Sequence, residues 1–291
     1  MRFYKKQSGF TLVEIIIVIA IMGIIGGLSA LIIGRSLDSY AALERREKLQ
    51  TSVRLAVERI SRELRQALPN SICVNNVGPC ISGAGSRFYF VPIKSSGRYQ
   101  DRPGVYTSPP AIQRDRLPVS PHSGDRFDVL STNPANPLSA AAGDSVVVYN
   151  INNTDIYAGI NNVRQAINAV VPKDINNTAI TTDDITQIQF SGNVSFANQS
   201  PIRRFQVIDK DHQVTLFYLN GSNLYRDTTL FSAPNTATAS THLLIQNVQA
   251  CNFTFTPGAP QRAGLLRIDI TVAQQGEQIR IIHDAHVYNT P

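Results

Sequence analysis

Residues 8–33 read Ser-Gly followed by FTLVEIIIVIAIMGIIGGLSALII, and between Phe10 and Ile33 the only charged side chain is Glu14. A helix needs about 20 residues to cross the hydrocarbon layer of a bilayer, and this run supplies them. Arg2, Lys5 and Lys6 precede it. Lys5 and Lys6 flank the run on one side only, so the positive-inside bias predicts a cytoplasmic N-terminus and a chain that lies outside the membrane after about residue 35. A secretory signal peptide would have a shorter apolar core and then small residues at a cleavage site, whereas here Ile24 to Ile33 extends the apolar run.

Helical character outlasts apolar character. From Leu37 to Leu68 there is no Pro and no Gly, and Leu49, Val53, Ala56, Ile60, Leu64 and Ala67 recur at spacings of four and three, one face of a helix. Charges occupy the other face. Glu44 with Lys48, Glu58 with Arg62 and Arg59 with Glu63 stand at i, i+4, each pair worth about 0.2–0.5 kcal/mol of helix support. Pro69 ends the pattern because it cannot continue the hydrogen-bond ladder and steers Leu68 out of the helical region. A continuous helix over 10–68 would be roughly 90 Å long at about 1.5 Å per residue. The expected division is a leader over 1–9, a spanning helix over 10–34, an amphipathic helix over 35–68 and a β-rich head over 69–291.

Beyond Pro69 the chain breaks into short segments of β-branched and aromatic residues separated by Gly, Pro, Asn and Ser. Strands are predicted at 87–91, 125–130, 145–150, 185–190, 204–208, 213–219, 251–255, 265–272 and 279–287. In 265–272, Leu266, Ile268, Ile270 and Val272 share one face and Arg267, Asp269 and Thr271 the other. Gln274, Gln275 and Gly276 then turn the chain into the last strand. Stretches 94–124 and 131–143 read as loops, and no internal repeat is apparent. The predicted fold class is α+β, one unit with an antiparallel sheet packed on the outer half of the long helix.

Composition narrows the function classes. The formal net charge of +6 is concentrated at the start: residues 1–9 carry +3, residues 10–68 hold eight Lys/Arg against six Asp/Glu, and residues 69–291 hold 16 against 15. A near-neutral head gives nucleic acid nothing to bind electrostatically. Three cysteines, Cys73, Cys80 and Cys251, are too few and too scattered for a zinc ribbon or a disulfide framework. Outside the cytoplasm, Cys73 and Cys80 would close a short loop, or Cys251 would take one of them as its partner.

The motif Ser8-Gly9-Phe10-Thr11-Leu12-Val13-Glu14, preceded by a basic leader and followed at once by an apolar helix, resembles the processing site of the type IV pilin family, which includes pilins, minor pilins and type II secretion pseudopilins. The resemblance implies cleavage between Gly9 and Phe10 by a membrane-embedded prepilin peptidase, with N-methylation of Phe10. It also implies partners: other major and minor pilins through the N-terminal helix, an inner-membrane assembly platform, and the bilayer before assembly. A carboxylate in a spanning segment costs about 2.5–3.5 kcal/mol, so Glu14 needs a partner. After cleavage that is the α-amino group of Phe10, one turn back, or the same group on a neighbouring subunit, the pairing the family is held to use when a subunit enters a filament.

Two departures set this chain apart from a principal pilin. The helix-breaking proline common near the twenty-second mature position is Leu31 here, and Gly26, Gly27 and Gly34 supply the weak points, each costing about 1 kcal/mol relative to Ala. Its size also exceeds what most principal pilins need. The phrases at 56–65 (AVERISRELR), 68–72 (LPNSI), 97–99 (GRY) and 284–288 (DAHVY) are similar to minor pilins of mannose-sensitive haemagglutinin (MSHA) type pili, and more distantly to J-type pseudopilins and W-type minor pilins. That similarity implies a place in a priming or tip complex.

Other chemistry is thinly represented. His283 and His286 are three apart on a predicted strand, so they point to opposite faces and cannot share an ion without a bulge. Asp209 and Asp211 flank Lys210 at a predicted hairpin turn, and Asp183 with Asp184 precedes a strand; these are weak Ca²⁺ candidates, since such sites need six to eight oxygen donors and no twelve-residue loop pattern is present. There is no Gly-x-Ser-x-Gly elbow, His-Glu-x-x-His or phosphate-binding Gly-rich loop. No cofactor and no catalytic residue is predicted, and Arg45, Arg46 and Lys48, interspersed with Glu44 and Glu47, read as a solvated helix face.

Overall fold

A computed structural model describes residues 9, 11–74, 83–106, 111–130, 138–151, 153–157, 162–175, 185–211, 213–238, 241–257 and 264–287. Helix α1 (Leu12–Leu64) is continuous for 53 residues, somewhat shorter at both ends than the predicted 10–68. Its start is set by Thr11, an extended N-cap whose hydroxyl accepts from the Glu14 backbone N–H at 3.4 Å. Its end comes before Pro69 because Gln66 and Ala67 tighten into i to i−3 bonds and Leu68 donates its N–H to Val91, which commits the backbone to the head.

Only the last third of α1 is covered. Leu49, Val53, Ala56, Val57, Ile60 and Leu64 are buried, the stripe predicted from the spacing with Val57 added. Two of the three predicted side-chain pairs form, Glu44–Lys48 at 2.6 Å and Arg59–Glu63 at 3.1 Å, and Glu63 also takes Arg226 from the head at 3.2 Å. The third does not. Glu58 and Arg62 line a groove beside the helix and make no ion pair with each other.

The single sheet expected from sequence is four sheets, every pairing antiparallel. The first runs β1 (Cys73–Val74), β3 (Arg87–Phe90), β11 (Gln213–Asn220), β12 (Asn223–Leu230), β13 (His242–Ile245). The second runs β4 (Ser95–Arg98), β10 (Arg204–Ile208), β6 (Ser145–Val147), β7 (Arg164–Ala166). The third runs β16 (Glu277–Val287), β15 (Gly264–Gln274), β14 (Val248–Thr256), β2 (Ala84–Gly85), and the fourth β5 (Gly124–Val129), β9 (Ile185–Val194), β8 (Ala169–Lys173). A short helix, α2 (Asn153–Tyr157), lies between β6 and β7 in the chain.

Period-2 alternation explains how these sheets divide the apolar residues. Phe88, Phe90 and Phe217 of the first sheet join Phe253, Phe255, Leu266, Ile268 and Ile270 of the third in one core under α1. On the opposite face, Tyr89, Leu216 and Val214 join Val147, Ile208 and Ile156 in a second core. A third core, away from the helix, is built by Phe127, Val146, Ile188, Phe190, Phe205 and Val207 from the second and fourth sheets, with Tyr99 and Phe196 just beyond the ends of β4 and β9. Gly97 is required there: a Cβ on it would lie 2.7 Å from the Phe205 ring. The stretch 94–124, predicted as loop, thus contains β4, while much of 131–143 lies outside the described residues.

Candidate assembly site on the N-terminal helix

From Leu12 to Ile33 the large apolar side chains of α1 are all exposed, Val18 at 45% being the most covered and Leu12 at 75% the least. Among the described residues nothing in the head packs on them. Gly23, Gly26, Gly27 and Gly34 interrupt neither the helix nor any contact, each having open space where a Cβ would be. Ser36 and Ser39 return their hydroxyls to Ile32 and Arg35 carbonyls at 2.9 Å, so the polar groups at the end of the apolar run are satisfied within the helix. This is the one helix, among the described residues, long and apolar enough to cross a membrane.

Glu14 sits in the first turn, near the positive end of the helix dipole. Its backbone N–H is capped by Thr11, and its side chain is exposed on the same surface as the apolar residues. Gly9 is exposed; Phe10, expected to carry the freed amine, lies outside the described residues.

Residues 4–30 match the prokaryotic N-terminal methylation motif. The motif, prepilin-type, supports a type IV pilin-like protein, and implies processing by a prepilin peptidase and assembly with other pilins. Neither a curated protein nor a solved structure matches the chain significantly. With the motif goes the fold: a long N-terminal apolar helix packed at its far end on an antiparallel β head, an α+β arrangement consistent with a type IV pilin-like fold.

The remaining residues singled out in the sequence are scattered over the head. Cys73 is disulfide-bonded and Cys251 is a free thiol, buried in β14, with burial pushing its pKa up to about 12. Cys80 lies outside the described residues, as do Asp183 and Asp184. The Asp209 carboxylate accepts from the Asp211 N–H at 3.0 Å and stands 3.4 Å from the Lys94 ammonium, so a cation from the chain already faces it. Among the described residues no group of three or more His, Cys, Asp or Glu could hold a metal ion. His283 and His286 face opposite sides of β16, His283 toward the helix flank.

Sequence reasoning missed two buried ion clusters. Lys94 bridges Asp209 and the fully buried Asp144, and Lys173 bridges Asp115 and the fully buried Asp128. Gln187 adds donors to both of the latter carboxylates, and the Tyr106 hydroxyl donates to Asp128 at 3.0 Å. Their ion-pair partners stand 45 to 115 residues apart in the chain, so no local pattern announces them.

Proposed function

We propose that this chain is a minor pilin of a type IV pilus, of the MSHA-like kind, acting in pilus priming or at the tip. The observation that carries this reading is a 53-residue helix whose methylation-motif half is wholly uncovered and whose last third is clamped to a large head. An apolar surface of that extent is stable only against lipid or other helices. In this reading the chain inserts with its N-terminus cytoplasmic and its head periplasmic, is cut between Gly9 and Phe10, and is N-methylated at Phe10. The freed amine and Glu14 then pair, within a turn or between subunits, as the helix moves from lipid into a filament core. Cys73 takes Cys80 as its disulfide partner, closing the chain just after the helix. The role is structural, with no catalytic step.

N-terminal sequencing of the protein from cells with an active prepilin peptidase tests the processing step: a terminus at N-methyl-Phe10 is expected, and an intact Met1 terminus overturns it. Glu14→Val tests assembly. The variant is expected to insert and be processed but to be missing from purified filaments; normal incorporation rules out the assigned role. A J-type pseudopilin in a type II secretion tip complex is the second reading, favoured by the head's size. Deleting the gene separates them: loss of surface pili supports the first, and loss of protein secretion with intact pili supports the second.

A further inference from the structure

Strand β16 is an edge of the third sheet, and the edge is open. It pairs with β15 over eleven consecutive positions, from Gly264↔Val287 to Gln274↔Glu277, without a bulge, and among the described residues with no other strand. A two-residue turn, Gln275-Gly276, joins the strands, both residues at positive φ (49° and 88°). The pair flanking such a turn is hydrogen-bonded, and hydrogen-bonded pairs then alternate along the ladder. Glu277, Ile279, Ile281, His283, Ala285 and Val287 therefore spend their N–H and C=O groups on β15. Gln278, Arg280, Ile282, Asp284 and His286 turn theirs outward. Edges are protected by shortness, bulges, proline or free charge; β16 is long, unbulged and proline-free, and its Arg280 and Asp284 are spent on ion pairs with β15.

The charge beside this edge is one-sided. On the sheet face away from the helix, Arg267 pairs with Asp284 at 2.8 Å and Arg280 with Asp269 at 2.6 Å, which neutralises that face. On the helix side a groove of 520 Å³ runs between α1 and β16, with Ile281 and His283 on the strand side and Arg54, Glu58, Arg62 and Arg65 among its helix residues. The three arginines are exposed and make no ion pair among the described residues, and Glu58 is the one acid among the lining residues. A strand laid along β16 would present alternate side chains to these guanidinium groups, whose planar forks suit carboxylates.

We propose that the free edge of β16 and the arginine flank of α1 form a docking site for an extended, acidic segment of a partner protein, which adds to the third sheet as its next strand. Backbone hydrogen bonds from the outward-facing groups of β16 supply affinity, and the arginines select carboxylates at alternate positions. A second copy of this chain fits poorly. Pairing two β16 edges would bring two arginine flanks to one interface, and the helix-facing residues of β16 offer a single acid, Glu277.

The test uses the full chain in detergent micelles and a labelled ten-residue peptide of alternating Glu and Val, read by fluorescence anisotropy, with alternating Lys and Val as the control. Saturable binding of the acidic peptide alone is expected. It should weaken at least tenfold in the Arg54→Gln/Arg62→Gln/Arg65→Gln chain and in Ile282→Pro, which removes an edge donor without touching a bond to β15. Reversing the three arginines to Glu should switch preference to the Lys-Val peptide. An acidic peptide N-methylated at alternate residues leaves the protein unaltered and should fail to bind. Equal binding of both peptides, unchanged binding after either change to the protein, full binding of the N-methylated peptide, or self-association through this edge in place of peptide binding would each overturn the proposal.

Discussion

Lys173 on β8 reaches across β9 and sets its ammonium 2.9 Å from the carboxylate of Asp128 on β5, a side chain with no exposure at all. The two edges of a three-stranded sheet are thereby tied over its centre, with Asp115 at 2.6 Å as the second anion. Removing the cation leaves two carboxylates facing each other in a poorly solvated site, which typically costs about 3–5 kcal/mol. Lys173→Met should therefore lower the unfolding free energy of the head by about 3 kcal/mol, since Gln187 and Tyr106 still donate to Asp128. Adding Asp128→Leu to that variant should recover part of the loss, as measured by guanidinium unfolding followed by circular dichroism.

Gly97→Ala should be destabilising although alanine is the better strand residue. The new methyl would sit 2.7 Å from Phe205 and 3.3 Å from Val129, and crowding of this kind costs about 1–3 kcal/mol. Gly192→Ala in β9, where nothing lies within 4 Å, should be neutral or slightly stabilising. Equal melting temperatures for the two variants would contradict the packing described for the third core.

The Lys94 ammonium is held above the usual lysine value, chiefly by its hydrogen bond to Asp144, against a smaller opposing effect of burial and with help from Asp209. A cation whose native pKa is raised stabilises the fold fully below its unfolded value, about 10.4, and loses that contribution as pH rises through the native value. Lys94→Met should cost about 1–2 kcal/mol near pH 8. That is below the cost of breaking a fully buried pair, because Lys94 is 30% exposed and Asp144 also accepts from the backbone of Ala141 and Lys210. The gap between variant and parent should narrow as pH rises past the unfolded lysine value of about 10.4 and through the higher native one; a gap that does not change with pH would contradict the ion pair.

Cys251 should resist alkylation in the folded protein. With its pKa near 12 and its side chain buried, roughly one molecule in ten thousand carries a thiolate at pH 8. Iodoacetamide should add to it only after unfolding, as intact mass before and after denaturant would show.

Much of the fold was legible because its signals are local. The final hairpin follows from Leu266, Ile268, Ile270 and Val272 alternating with polar residues and from a glycine at the turn, and all four are fully buried in β15. The helix stripe followed from spacing alone. Strand β12 was not among the predicted strands, since Arg226-Asp227-Thr228-Thr229 puts four polar residues in a row and shows no apolar alternation. In the fold Asp227 is fully buried and accepts from the Thr238 and Thr241 hydroxyls, partners that a strand pattern cannot foretell. The division into several sheets was hidden for a related reason. Alternation tells which residues point inward, but not that the first sheet buries both of its faces, as Phe88 and Tyr89 do. At the assembly site Glu14 was legible as a lone charge in an apolar run, whereas the clusters around Lys94 and Lys173 join residues far apart in the chain.

The clamp between α1 and the head also has a mechanical meaning. The head holds the helix along its last turns, from Leu49 to Leu64, with the contact surface parallel to the axis. About 55 Å of helix extends ahead of that clamp. A pull on the free end therefore loads Leu49, Val53, Val57, Ile60 and Leu64 together, in shear, instead of peeling them away one turn at a time. Tension carried along such a helix would reach the head as a distributed load, and the head would hold as a single block.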